Sequence, residues 1–276
     1  MQSERQAFYD PQDLFQEVKE KVVLLRGRGE KIDYLTIVPD GEPTLDINLG
    51  NLINNLKSLD IKVAVITNSS LMGRDDVIEE LARADLVSVK VDTVNEAIWR
   101  KVNHPLKQIN IKDIQKGLVK FSQVFNGQLL SETMLVKDIN DTTEALNETA
   151  QFISSLNLSV SYLSIPTRPP ALKWVKPPSE DNINQAYQVF KQYLGRVEYL
   201  IGYEGSDFAF SGNIENDILS ICSVHPMRQD ALLEMLSRAQ QGWEKVTELM
   251  AQNKLVEIDF AGHKFYMRKL YEGYKR

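Results

Sequence analysis

Along this chain, short apolar runs alternate with longer stretches in which apolar residues recur every three or four positions. The runs read as strands and the spaced stretches as amphipathic helices. Pro11 to about Arg26 reads as a helix: Asp10 suits its N-cap, Pro11 its first turn, and Leu14, Val18 and Val22 step along one face, with Gly27 and Gly29 to end it. Tyr34 to Val38 is a nearly continuous apolar run, which predicts a strand buried on both faces. A helix near 49–59 follows, then strand 62–66, helix 74–83, strand 85–91 and helices near 94–101 and 111–125. Strand 129–136, a helix 142–156 capped by Thr142, strand 160–165, a helix begun by Ser179 and a strand at 197–201 complete the series.

Repeated strand-then-helix units of this length predict a parallel sheet with right-handed crossovers. No G-x-G-x-x-G or Walker A pattern follows any strand, which weakens nucleotide-fold readings. Each strand ends instead in a different polar loop (39–45, 67–73, 92–93, 137–141 and 166–170), and barrels build sites that way. Near Tyr203 to Asn213 the pattern changes to a linker rich in Gly, Ser and Phe, so the expected domains are 1–205 and 206–276. The remainder reads as helices 214–224, 228–239 and 242–252, then strands 255–260 and 264–270 joined at Ala261-Gly262-His263. Three helices and a hairpin in that order predict a winged-helix domain.

Composition narrows the function classes. With 276 residues, 43% hydrophobic and 25% charged, the chain suits one large α/β domain with a small appendage. No apolar run reaches membrane-spanning length and Met1 to Phe15 is polar, so the expected location is cytoplasmic, with no membrane partner. A net charge of −6 argues against a generally cationic nucleic-acid binder. Lys264, Arg268, Lys269, Lys275 and Arg276 do concentrate positive charge at the end, which fits either RNA or DNA contact or a solvated hairpin. Cys222 is the single cysteine, which excludes an internal disulfide framework and an all-cysteine cluster site within this chain. His104, His225 and His263 lie scattered at turns, with no zinc spacing, and no G-x-S-x-G marks a serine hydrolase.

Candidate chemistry sits where strands end. Gly41 and Pro43 shape the first loop, and its carboxylates Asp40 and Glu42 are either ligand-facing or parts of a polar turn. Thr67, Asn68 and Ser69 either bind a ligand or cap helix 74–83. Lys90 is a charge inside an apolar strand and so needs a partner, with Asp92 the nearest in sequence. Glu132 and Met134 share one pleat face, with Lys137 just beyond them. Arg168, in a proline-stiffened loop, is either an anion clamp or a surface ion pair.

Taken together, these residues resemble the radical S-adenosylmethionine (SAM) superfamily, and more closely its Fe–S oxidoreductase branch related to radical-SAM wyosine tRNA synthetases. The matching stretches are Asp40-Gly-Glu-Pro-Thr-Leu45, Ala64-Val-Ile-Thr-Asn-Ser69, Asn103-His-Pro105, Glu132 to Lys137 with Ile139-Asn-Asp141, and Pro166-Thr-Arg-Pro-Pro170. The resemblance implies an incomplete parallel (β/α) barrel of radical SAM type with the winged helix appended. It implies S-adenosylmethionine and a four-iron four-sulfur (4Fe–4S) cluster as cofactors, one-electron cleavage to a 5′-deoxyadenosyl radical, and a flavodoxin or ferredoxin as electron donor. Family kinship suggests tRNA or another modified molecule as the substrate, and nothing in the sequence selects between them. By the same resemblance Asp40, Gly41, Glu42, Pro43, Thr67, Asn68, Ser69 and Asp92 are cofactor-binding, and Glu132, Met134, Lys137 and Arg168 substrate-binding. Asp40 stands where the family's loop commonly has its first glycine.

The family's cluster-binding loop, C-x-x-x-C-x-x-C, follows its first barrel strand, and this sequence opens at what matches the segment after it. The expectation is therefore a missing N-terminal segment (an upstream start, a cut chain or a degenerate member, of which an incomplete N-terminus is favoured), no cluster bound to this chain as written, and five or six parallel strands with strand 34–38 at an unpaired edge. Two rivals stand beside this reading. One is a non-catalytic binding or regulatory protein that uses the winged helix for nucleic acid or protein contact. The other is a barrel enzyme holding a divalent metal on Asp40, Glu42 and Asp92.

Overall fold

Six of the apolar runs become parallel strands of one sheet. In chain order the elements are α1 (Pro11–Gly27), β1 (Tyr34–Ile37), α2 (Leu49–Lys57), β2 (Lys62–Thr67), α3 (Asp75–Leu81), β3 (Leu86–Lys90), α4 (Glu96–Asn103), α5 (Ile111–Val124), β4 (Gln128–Met134), α6 (Thr143–Ser154), β5 (Val160–Ser164), α7 (Glu180–Tyr193) and β6 (Val197–Leu200). The sheet runs β1-β2-β3-β4-β5-β6, every neighbour parallel, so spatial order follows chain order. This computed structural model describes residues 4–38, 41–200, 213–224, 226–260 and 262–269. Helix starts follow local chemistry: Asp10, Asn95, Asn110, Thr142 and Ser179 each accept a backbone N–H from the first turn they cap.

Strand pleating sorts the side chains into two faces. One pleat puts Val63 and Val65 of β2, Val87 and Val89 of β3, Leu129 of β4 and Leu163 of β5 into a core with Ile53, Val77, Phe121, Ile153 and Phe190 of the helices. The other pleat lies outside that core. It carries Thr36, Ile66, Lys90, Glu132, Met134, Tyr162, Glu198 and Leu200, none of them fully buried, and is called the open face below.

The edge strand β1 departs from expectation. Burial on both faces was expected, but Tyr34, Leu35 and Ile37 are only half-buried and Thr36 and Val38 are exposed. Among the described strands β1 has one neighbour, β2, and its Thr36 pleat lies on the open face. A strap at residues 5–6 braces the loop after it: Gln6 exchanges backbone hydrogen bonds with Leu45 and Ile47, and the buried Arg5 guanidinium donates to the carbonyls of Thr44 and Asp46 and pairs with Asp76 and Glu80.

The chain divides into two compact units, residues 1–165 with 176–201, and residues 166–175 with 202–276. The segment 166–175, expected as a loop of the sheet unit, groups with the C-terminal unit. Pro166, Pro169 and Pro170 lack the N–H groups that would extend a strand ladder. In the C-terminal unit, α8 (Ile214–Val224), α9 (Gln229–Arg238) and α10 (Glu244–Ala251) accompany β7 (Met227–Arg228), β8 (Leu255–Phe260) and β9 (His263–Arg268), in an antiparallel sheet ordered β7-β9-β8. Ile218, Cys222, Met227, Leu232, Leu236, Leu249 and Tyr266 form its own core. The two-residue β7 is too short to leave a sequence pattern. Most of the expected 203–213 linker, with Asp40, His225, Lys275 and Arg276, lies outside the described residues. Among the described residues no helix is long and apolar enough to cross a membrane.

Candidate active site

The loops at the carboxyl ends of β1, β2, β3 and β4 meet through three buried polar groups. The first is Glu42, only 7% exposed. Its Oε1 accepts from the N–H (3.1 Å) and hydroxyl (2.7 Å) of Thr44 and from the Thr67 hydroxyl (2.6 Å), and its Oε2 accepts from the Asn68 N–H (2.7 Å). Glu42 therefore ties the loop after β1 to the end of β2. Burial pushes its carboxyl above the usual range, against the pull of those four hydrogen bonds. Pro43 is buried and opens a single 3-10 turn, Pro43–Leu45, while Gly41 is exposed.

The second group is the run after β2. The Thr67 hydroxyl also accepts from the Ser69 N–H (3.0 Å), and Ser69, in the left-handed region at φ 66°, accepts the Lys90 N–H on its hydroxyl (3.0 Å). Asn68 is exposed, with its Oδ1 taking the Ser70 N–H (2.9 Å). The helix-capping alternative for these three is overturned: α3 has Arg74 at its N-cap and no side-chain cap bond. The hydroxyls of Thr67 and Ser69 and the Oδ1 of Asn68 are committed to turns at the strand ends, which leaves the Asn68 amide nitrogen exposed.

The third group is Asp92, whose side chain is 0% exposed. Its Oδ1 accepts from the Met134 N–H (2.9 Å) and faces the Lys90 Nζ (3.2 Å), and its Oδ2 accepts from the Asn103 amide (2.7 Å). Asn140 closes the circuit, its amide donating to the carbonyls of Asp92 and Met134 (2.9 Å each) while its oxygen accepts the Val136 N–H (2.7 Å). Thus β3, β4, α4 and the loop after β4 are pinned together. Lys90 satisfies the need for a partner twice, at Asp92 and at Glu132 (3.8 Å). Burial pulls the Lys90 ammonium down, but the two carboxylates together hold it above its ordinary value.

Beside Asp92 lies a small cavity of about 20 Å³, lined by Asn68, Lys90, Asp92, Thr93, Trp99 and Asn103 among others. Asn103 Oδ1 is buried, and among the described residues nothing donates to it. An orphaned buried acceptor is costly, so a donor arriving from a ligand would be favoured there. Sequence reasoning assigned no role to Asn103 or Asn140, although both stand in stretches that carry the resemblance.

The remaining expected residues are dispersed. Glu132 and Met134 do share the open face, half-buried. Lys137 is exposed, and its N–H bonds the Lys176 carbonyl (2.9 Å). Arg168 belongs to the C-terminal unit. Of the residues of the divalent-metal alternative, Glu42 and Asp92 have their oxygens turned to N–H and O–H groups, and Asp40 lies outside the described residues.

Three comparisons bear on this geometry. The family model described as the radical SAM superfamily matches residues 3–153. A UPF0026 protein of Methanocaldococcus jannaschii is 41% identical over 269 residues, covering 97% of this chain and 83% of the relative. Among solved structures, a radical SAM methyltransferase from Sphaerobacter thermophilus aligns with a TM-score of 0.54 at 15% identity, over 71% of this chain and 59% of that one. A structure of TYW1 with a lysine-pyruvate adduct bound aligns at 0.51 and 15%, over 67% and 63%. At such identity the two structures speak for the fold alone.

Proposed function

We propose a function from one premise: this chain belongs to the radical SAM superfamily. On that footing it is an S-adenosylmethionine-holding enzyme, an oxidoreductase that starts radical chemistry on a substrate at the open sheet face. The observation that carries this reading is the buried Asn103 acceptor with no described donor, in a residue that with Asn68 and Asp92 lines the water-sized cavity at the strand ends, where parallel α/β sheets take ligands.

The residues present fit one of the family's two cofactors. For S-adenosylmethionine, Asn103 offers a buried acceptor for a hydroxyl or amine, and Asn68 an exposed amide. When bound, that group would supply a carbon-centred radical once a one-electron reductant, which these residues do not hold, cleaves its C–S bond. The chain's own part is to orient it: Glu42 fixes the Asn68 backbone, and Asp92 fixes the Asn103 amide. The cluster does not fit these residues. Cys222 is the single thiol, is buried in the C-terminal core, and has its pKa pushed up to about 12 by burial. No step through a cluster is derived from this chain.

The C-terminal unit reads as a winged helix by its order of helices and hairpin. A nucleic-acid role for it has less support, because Lys264 is held by Glu257 (2.5 Å) and Lys269 by Asn253 (3.3 Å).

Calorimetry tests the reading. With hydrogen bonds and adenine burial alone, S-adenosylmethionine should bind this chain at roughly millimolar Kd at best. Joining a C-x-x-x-C-x-x-C segment ahead of residue 1 and reconstituting under anaerobic conditions should bring binding to the micromolar range. In that protein Asn103→Ala should weaken binding about fivefold, one neutral hydrogen bond's worth. Equal affinity with and without the segment, or an innocuous Asn103→Ala, overturns the placement.

A further inference from the structure

Across the open face, at one level, four adjacent strands present polar side chains in register. Lys90 of β3 pairs with Glu132 of β4, Glu132 with Tyr162 of β5, and Tyr162 with Glu198 of β6. At the ordinary strand spacing of about 4.8 Å the strip is roughly 14 Å long. Exposed apolar groups of the same face flank it on opposite sides: Ile66 (41%) on β2, one pleat before the level of Lys90, and Leu200 (46%) on β6, one pleat after Glu198.

The charges in this strip do not all have partners of their own. Asp92 has the Lys90 ammonium at 3.2 Å, and Glu198 has the Arg196 guanidinium at 2.6 Å. Glu132 is left with a share of Lys90, at 3.8 Å, and with the Ser164 hydroxyl, which donates to Oε1 (2.8 Å). Among the described residues nothing donates to Glu132 Oε2. Ser164 and Lys90 both hold Oε1, and the Glu132 side chain stays 31% exposed on a face that carries both apolar surface and a phenol. A carboxylate held in place with one oxygen spare is built for a charge-assisted hydrogen bond.

We propose that Glu132 recognises a protonated amine on the substrate, whose apolar body lies over Met134 and Leu200, one pleat beyond the strip, and whose further polar groups meet Tyr162. This inference rests on the reading that the open face takes the substrate. It adds a chemical class, an organic ammonium compound. A neutral or anionic substrate would leave Glu132 unmatched.

The test uses the full chain and two probes of one size, n-hexylammonium and n-hexanol, followed by backbone amide shifts in NMR. Hexylammonium should shift residues around Glu132, Tyr162 and Ser164 saturably, and hexanol should bind at least about tenfold more weakly, the loss of one charge-assisted hydrogen bond. Glu132→Gln, which keeps the shape and the Ser164 contact, should erase the preference. Glu132→Asp, which keeps the charge but withdraws it by one methylene, should leave part of it and serves if the Gln variant fails to fold. Equal binding of amine and alcohol to the unaltered chain overturns the inference, as does an unchanged preference in both variants. S-adenosylmethionine affinity, measured in parallel on the reconstituted protein with the added segment, separates the two levels. A Glu132→Gln variant that loses the cofactor rather than the amine assigns Glu132 to the cofactor and overturns this inference alone. Absence of cofactor binding in the reconstituted protein that keeps Glu132 overturns the functional reading, whatever the amine does.

Discussion

At the scale of single residues, the site is made of side chains that hold backbone rather than ligand. Glu42 is the clearest case, since four donors saturate it. Glu42→Ala would leave the Thr44 and Asn68 N–H groups without partners, and the expected cost is about 2–4 kcal/mol in urea unfolding. Cofactor affinity should fall as well, indirectly, because the Asn68 backbone loses its anchor. Lys90 gives a pH signature. Its folded pKa is raised, so the stability it contributes is fully present below the ordinary lysine value near ~10.4 and is lost as pH rises through the higher folded value. Lys90→Met should therefore cost about 2 kcal/mol at neutral pH, a partly exposed pair being worth less than a fully buried one, and the gap to the unaltered protein should narrow only above that value. Chemical denaturation from pH 6 to 11 reads both; a gap that closes below pH 9 would mean that Lys90 is not held by Asp92 and Glu132.

At the scale of elements, one close approach sets how α5 lies on the loop after β2. A Cβ on Gly117 would stand 1.7 Å from the Met72 carbonyl oxygen, which is backbone and cannot swing aside. Gly117→Ala should cost about 3 kcal/mol or more and lower the melting temperature sharply, whereas Gly195→Ala, with open space around it, should do little. The sequence made most elements legible because apolar spacing and capping residues are local signals, as at Asp10, Thr142 and Ser179. The exposure of β1 was not legible, since a continuous apolar run looks alike at the edge and at the centre of a sheet. Of the site, the loops after β1 and β2 and the Lys90–Asp92 pair could be located in advance. The roles of Asn103 and Asn140 could not, because a hydrogen bond spanning 48 positions, Asn140 to the Asp92 carbonyl, leaves no periodic trace.

At the scale of the whole molecule, the two units have separate cores. Residues 213–276, expressed alone, should therefore fold cooperatively, with helical circular dichroism and a single melting transition. A featureless spectrum would show that these residues need 166–175, which group with them, or more of the chain. The sheet unit carries a different consequence. Because β1 to β6 stand side by side in the order in which they are encoded, each strand leaving the ribosome finds its neighbour already made. No strand has to wait for a later one to fill a gap, as it must in sheets whose order reverses. The sheet can grow at the pace of translation, one strand and one covering helix at a time, and pauses in synthesis should be tolerated best just after a helix has been completed. Nascent chains arrested after α5 or α6 should already resist protease over β1 to β3, while chains arrested within β4 should not protect that strand.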